Sequence, residues 1–248
     1  MILCIDIGNT SIKIARVGDG AVRDAHIVAS SSPASEIARV LTRVAKRGVD
    51  RAAIASVRPS STPAVVRAIE REMKLEALVI THRAVLPIAI ATRHPARLGV
   101  DRICAACGAV AGRARSAIIV DAGSATTVDL VLDRRFVGGV IMPGPQMMLD
   151  ALHTLTARLP ALRIEDARGE EIDDTVPAML TGSRVGSAGA ILAAVRLLER
   201  AAGRRPSVWV TGGHSARLSA QLPATWTRST HLTLQGIAHI AHLNPPRP

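Results

Sequence analysis

The feature that most constrains this chain is one strand–turn–strand device used twice. At the start, Ile2-Leu3-Cys4-Ile5 runs as an apolar strand into Asp6, and Ile7-Gly8-Asn9-Thr10-Ser11 turns it back into Ile12-Lys13. Roughly half a chain later, Ala117-Ile118-Ile119-Val120 runs into Asp121, and Ala122-Gly123-Ser124-Ala125-Thr126-Thr127 leads back into Val128-Asp129. Aliphatic runs bounded by turn residues predict buried strands. The glycine lets backbone approach a ligand closely. The hydroxyls and N–H groups of such a turn line a concavity suited to an anion. One Asp-x-Gly turn is commonplace. Two copies predict a duplicated α/β chain, with the hairpins facing each other across a nucleotide cleft.

Length agrees with this, because 248 residues allow two halves of about 120 each. Hydrophobic content of 48% is enough for a core in each half. No uninterrupted apolar run approaches the roughly 18 residues of a membrane helix, and Asp6 breaks the apolar N-terminus, so neither a membrane span nor a signal peptide is expected. The expectation is a soluble, cytoplasmic protein. Cys4, Cys104 and Cys107 make no disulfide framework. Cys104-Ala105-Ala106-Cys107 has metal or redox spacing, yet it lies in an Ala-rich helical pattern with no second ligand pair, so small core residues are the better reading.

The net charge of +11 raises nucleic acid as a partner. Lysine occurs only at Lys13, Lys46 and Lys74, and the arginines are spread through the chain without a basic run of five. Phe136, Trp209 and Trp226 are the only aromatics, too few for a base-stacking platform. Nucleic acid is therefore not expected, while a basic surface would attract anionic metabolites.

Between the two devices, the pattern predicts a strand at Ala21–Val28 and a helix after Pro33 with the stripe Ile37, Val40, Leu41 and Val44. It continues with a strand at Arg51–Val57, a helix at Ser61–Met73 and a strand at Glu76–Ile80. That order is ribonuclease-H-like. The segment from Thr81 to Leu98 has few regular signals and suits a substrate-binding crossover. Gly99-Val100-Asp101-Arg102 opens a helix expected to reach about Gly112, which places Asp101 at the helix's positive end. The second half repeats the scheme: strands near 117–122, 126–132 and 135–142, then helix Met147–Thr156. A polar excursion at Ala157–Glu171 precedes a long helix at Asp174–Ala202, whose Gly182, Gly186 and Gly189 would admit a close neighbour. Strand Ser207–Thr211 should turn at Gly212-Gly213 into a further helix, and Leu232–Gly236 should precede the last one. The halves are expected as 1–114 and 115–248.

In this order the motifs resemble the type III pantothenate kinases, within the superfamily of acetate and sugar kinases, Hsp70 and actin. Asp6-Ile7-Gly8-Asn9-Thr10 is similar to the family's first phosphate motif and Gly99-Val100-Asp101-Arg102 to its substrate and catalytic motif. Asp121–Thr127 resembles the second phosphate motif, with Ser124 where Thr is usual. Gly138–Gly144, Thr211-Gly212-Gly213 and Leu232–Gly236 follow in the expected order. The resemblance implies an actin-like ATPase fold and transfer of phosphate from ATP to pantothenate, the first step of coenzyme A biosynthesis. It implies that Asp6, Ile7, Gly8, Asn9, Thr10, Ser11, Ile12 and Lys13, with Ser124, hold ATP. Mg²⁺ would lie near Asp6, held indirectly. Asp101 would be the general base. Thr92, Gly99, Val100 and Arg102 would meet pantothenate, with Thr175 supplied by the partner of a homodimer. Asp121 would hold a monovalent cation, potassium or ammonium.

One departure bears on the acceptor. Thr92 stands where the family usually carries a pantothenate-contacting Tyr, and Arg93-His94 replaces the usual Asp-Asn before Pro95. The alternatives are a related kinase with another small hydroxylated acceptor, or an inactive nucleotide-binding regulator. The joint presence of Asp6, Asp101 and Asp121 argues against the second.

Overall fold

A computed structural model describes residues 1–46, 48–111, 114–169 and 171–245. The chain forms two compact units: Met1–Ser116 with Val131–Val137 and the segment from His231 onward, and Ala117–Leu130 with Gly138–Thr230.

The first unit contains β1 (Ile2–Ile7), β2 (Ser11–Gly18), β3 (Ala21–Ala29), α1 (Ala34–Ala45), β4 (Arg51–Ser56), α2 (Thr62–Met73) and β5 (Ala77–Val79). Its sheet order is β3-β2-β1-β4-β5, with β1 antiparallel to β2 and parallel to β4. Strand alternation assigns the faces of β1. Leu3, Ile5 and Ile7 join the core beneath α1 and α2, including the predicted stripe Ile37, Val40, Leu41 and Val44. Ile2, Cys4 and Asp6 point to the other face, which α3 (Val100–Ala109) and α6 (Leu232–Leu243) cover. Helices on both faces explain why all of β1 is buried. The segment after β5 holds a two-residue strand, β6 (Ala89–Ile90), and a single 3₁₀ turn at Pro95–Arg97.

α3 and α6 cross with their backbones in close approach. A methyl group on Gly236 would overlap the Cys104 carbonyl and lie 2.9 Å from the Gly108 nitrogen. Gly236 therefore sits inside the last helix, whereas the pattern placed Leu232–Gly236 before it. Its glycine serves helix crossing and not a turn. The predicted end of α3 near Gly112 lies outside the described residues.

The second unit contains β7 (Ala117–Ala122), β8 (Ala125–Leu132), β9 (Arg135–Pro143), α4 (Pro145–Leu155), α5 (Thr175–Ala202), β10 (Ser207–Thr211) and β11 (Thr227–Arg228). Its strand order, β9-β8-β7-β10-β11, reproduces that of the first unit strand for strand, and β10 runs parallel to β7 as β4 does to β1. The duplicated turn is thus one part of a duplicated sheet. β6 pairs with Arg135 and Phe136 of β9, at the hairpin tip that packs with the first unit.

Several expectations are corrected here. No helix follows Gly213; His214–Gln221 is a string of turns closed by bonds such as Arg217 N–H to the His214 carbonyl, 3.0 Å. The excursion after α4 is not merely polar, since Leu159, Leu162 and Ile164 pack with Leu149, Met179 and Leu180. Gly182 and Gly189 face open space, and Gly186 makes only ordinary contact with Met148 at 3.9 Å. Among the described residues α5 alone has the length and hydropathy that a membrane span needs, although charged and polar residues interrupt its apolar run. This 28-residue helix has a window of mean hydropathy 1.3, built from small residues, and its inner face packs on the sheet through Ile191, Val195 and Leu198.

Candidate active site

In the first unit, antiparallel register places Lys13 opposite Asp6, and the Lys13 ammonium lies 3.4 Å from the Asp6 carboxylate. Asp6 is buried at the end of β1. Burial pushes its pKa up, the Lys13 charge opposes the rise, the negative charge of Asp101 adds to it, and the hydrogen bond from Lys13 opposes it again. Beyond Asp6 the turn is tight. Gly8 N–H donates to the Ser11 carbonyl at 3.0 Å, and a Cβ on Gly8 would meet that oxygen at 3.1 Å. The Ser30 hydroxyl donates to the Gly8 carbonyl at 2.8 Å, and the Ser30 N–H to that of Thr10 at 2.9 Å, tying the turn to β3's end. Asn9 and Thr10 are left exposed. Ile7 and Ile12 pair with each other and bury their side chains, so only their backbone could meet a ligand.

Asp101 lies in the first turn of α3, whose N-cap is Gly99. Its carboxylate folds over that glycine: a Cβ on Gly99 would lie 2.5 Å from Asp101 Oδ1, so any side chain would displace the acid. The Arg102 N–H donates to the same oxygen at 2.8 Å. The Arg102 guanidinium stands over the Phe136 ring, 5.6 Å from its centre. Phe136 is fully buried, and its carbonyl accepts the Ala91 N–H at 2.9 Å. Thr92 follows directly, and its buried hydroxyl has no partner within the protein. Phe136 thus anchors both Arg102 and the strand that delivers Thr92. Sequence reasoning missed that role, because Phe136 lies far along the chain in another hairpin. Arg93 and His94 are exposed.

In the second unit, Asp121 is half-buried near the end of β7, with Ser124 exposed in the following turn. Gly123 is held close, since a Cβ there would lie 3.3 Å from Asp121 Oδ1. The Gly144 N–H donates to the Ser124 carbonyl at 3.2 Å, and that carbonyl leaves no room for a side chain on Gly144. Gly212 adopts φ 98° against the backbone of Ala122, and the His214 N–H donates to the Ala122 carbonyl at 2.9 Å. Thr126 Oγ1 and His214 Nδ1 are buried without partners. Burial lowers the His214 pKa, Glu165 opposes this and Arg217 reinforces it, so the imidazole is neutral near pH 7. Neither group stood out in the sequence; an unsatisfied buried atom is visible only in three dimensions. Thr175 is exposed at the first position of α5, its N–H bonded to the Asp174 carboxylate at 2.6 Å.

Among the described residues no three His, Cys, Asp or Glu side chains gather as a metal cage. Mg²⁺ does not need one, because it keeps several waters and takes one or two carboxylates beside substrate phosphates. A buried, strongly desolvated Asp6 that also feels Asp101 fits that mode, since a cation there would relieve both effects. Asp121 offers one half-buried carboxylate oxygen set of the hard-donor kind that a monovalent cation accepts.

Comparison with known proteins agrees with this architecture. The solved structure of (R)-2-hydroxyglutaryl-CoA dehydratase component A from Acidaminococcus fermentans has TM-score 0.57 and 15% identity, covering 97% of each chain. That of the ROK hexokinase from Thermus thermophilus has TM-score 0.53 and 14% identity, covering 98% of each. These likenesses show an actin-like fold built of two α/β units. The type III pantothenate kinase of Caulobacter vibrioides is 31% identical over 256 residues, covering 98% of each chain. The profile of the family described as type III pantothenate kinase matches residues 2–197. The chain belongs to the type III pantothenate kinase family.

Proposed function

We propose that this chain transfers the γ-phosphoryl group of ATP to the 4′-hydroxyl of pantothenate, the step that opens coenzyme A biosynthesis. The observation that carries the reading is the convergence of Asp6, Lys13 and Asp101 at the end of β1 and the start of α3. Phosphoryl transfer asks for positioning and charge neutralisation, with little covalent chemistry left to the protein. Asp101 accepts the hydroxyl proton as the new O–P bond forms and the bond to the β–γ bridging oxygen breaks, releasing ADP. Lys13 and the exposed tip of the first turn, Asn9 and Thr10, face the phosphates, and Ser124 contacts ATP from the second turn. Asp6 would hold Mg²⁺, which would neutralise phosphate charge. Asp121 would hold potassium or ammonium, which would offset the repulsion between its carboxylate and the nucleotide.

Gly99, Val100, Arg102 and Thr92 bind pantothenate. The unpartnered Thr92 hydroxyl supports this, because a buried hydroxyl without a partner is unfavourable until a ligand supplies one. The enzyme works in the cytoplasm as a homodimer, with Thr175 of one protomer completing the partner's acceptor pocket. Exposed apolar side chains on the second unit, Ile141 at 64%, Leu155 at 80% and Ile172 at 77%, support a covered face there.

The test is ADP release with purified chain, Mg²⁺ and either potassium or sodium, comparing pantothenate with a panel of other small hydroxylated acids and sugars. Turnover should require pantothenate and rise in potassium, and Asp121→Ala should erase the difference between the salts. Turnover with another acceptor and none with pantothenate would keep the kinase chemistry and remove the acceptor.

A further inference from the structure

The end of α5 gathers arginines that are dispersed in the sequence. Arg196 and Arg200 are one turn apart on the same helix face. Gly203, at φ 63°, then ends the helix, and Arg204 and Arg205 come back beside them. With Glu199 they line a shallow groove of about 410 Å³ in the second unit. All four arginines are exposed, and Glu199 is the only acid in the lining. A helix C-terminus is satisfied by one nearby cation. Four exceed that need, and Arg196 and Arg200 repel each other at this spacing.

We propose that this groove docks the phosphodiester backbone of double-stranded nucleic acid without sequence preference. Guanidinium forks match phosphate oxygens in pairs, and successive arginines on the helix face stand about 6 Å apart. Exposed cations hold one small anion weakly, whereas a polyanion gains by releasing its counterions. Single strands would call for aromatic rings, and the groove lining has none. The chain's net charge of +11 adds attraction at long range. The expectation from composition alone disfavoured nucleic acid, because it saw dispersed arginines and not their convergence.

The experiment is fluorescence anisotropy of the full chain with a labelled, mixed-sequence DNA duplex across potassium chloride concentrations. Four phosphate contacts predict affinity falling roughly 10²-fold between about 50 and about 200 mM salt. The variant Arg196→Gln/Arg200→Gln/Arg204→Gln/Arg205→Gln should lose most of the binding, and Arg196→Gln/Arg200→Gln alone about half of the logarithmic salt slope. Thermal unfolding identifies any variant that fails to fold, and the double variant then decides. No binding at the low-salt end, or an unchanged slope in the folded variants, overturns the proposal. Equal affinity for polyglutamate of matched charge also overturns it, in favour of an acidic protein partner.

Discussion

At the scale of single residues, the first unit holds two carboxylates in contrasting settings. Asp101, the proposed base, sits half-exposed over Gly99 with one N–H donor from Arg102. Asp101→Asn keeps the shape and removes the base, so turnover should fall on the order of 10²-fold or more. ATP affinity should change little, which nucleotide titration of the variant checks; near-normal turnover would remove Asp101 from the mechanism. Asp6 is buried, and its raised pKa means that ionising it opposes folding. For a carboxyl group raised in the folded state, the stabilisation is present below the unfolded pKa and is lost as pH rises through the folded value. Asp6→Asn should therefore raise the Tm of the ligand-free protein at pH 7 while destroying activity. The gain should shrink as pH falls and Asp6 itself takes up a proton. A variant less stable than the parent at pH 7 would show that the Lys13 pair outweighs desolvation.

Among elements, the α3–α6 crossing sets where Asp101 stands. Alanine ordinarily stabilises a helix interior over glycine by about 1 kcal/mol. Gly236→Ala should do the opposite, because its methyl group meets the Cys104 backbone, which cannot move without shifting α3. A loss of about 1–3 kcal/mol in chemical denaturation is expected, together with lowered turnover. Gly189→Ala, on the open face of α5, is the contrasting substitution and should gain about 0.5–1 kcal/mol. Losses at both positions would mean that the open face of α5 is covered in solution.

For the whole molecule, the relevant surface is the exposed apolar set on the second unit. Leu155 and Ile172 are too exposed to contribute to the protomer's own core. Sedimentation should show a dimer, and Leu155→Asp/Ile172→Asp should yield monomers with reduced turnover on pantothenate. Monomeric parent protein with full activity would exclude a pocket shared between protomers and leave Thr175 without a part in it.

Much of this protein was legible in its sequence because the information is local. Alternating and helical apolar patterns placed β1, β3, β4, β5, α2 and the start of α1 within a residue or two, and the repeated Asp-x-Gly turn announced two sheets of one strand order. The acids at strand ends and at the start of α3 were equally visible, since a turn or a helix start depends on a few adjacent residues. What only the tertiary structure decided depends on residues far apart in the chain. Packing, not pattern, returned α6 to the first unit and required Gly236 at the crossing. It also set Phe136 beneath Arg102 beside Thr92, left the Thr126, Thr92 and His214 polar atoms without partners, and drew four arginines to one helix end. Local sequence fixes which backbone conformations are favourable. Which side chains meet, and which buried groups still lack a partner, follows only once the whole chain has closed on itself.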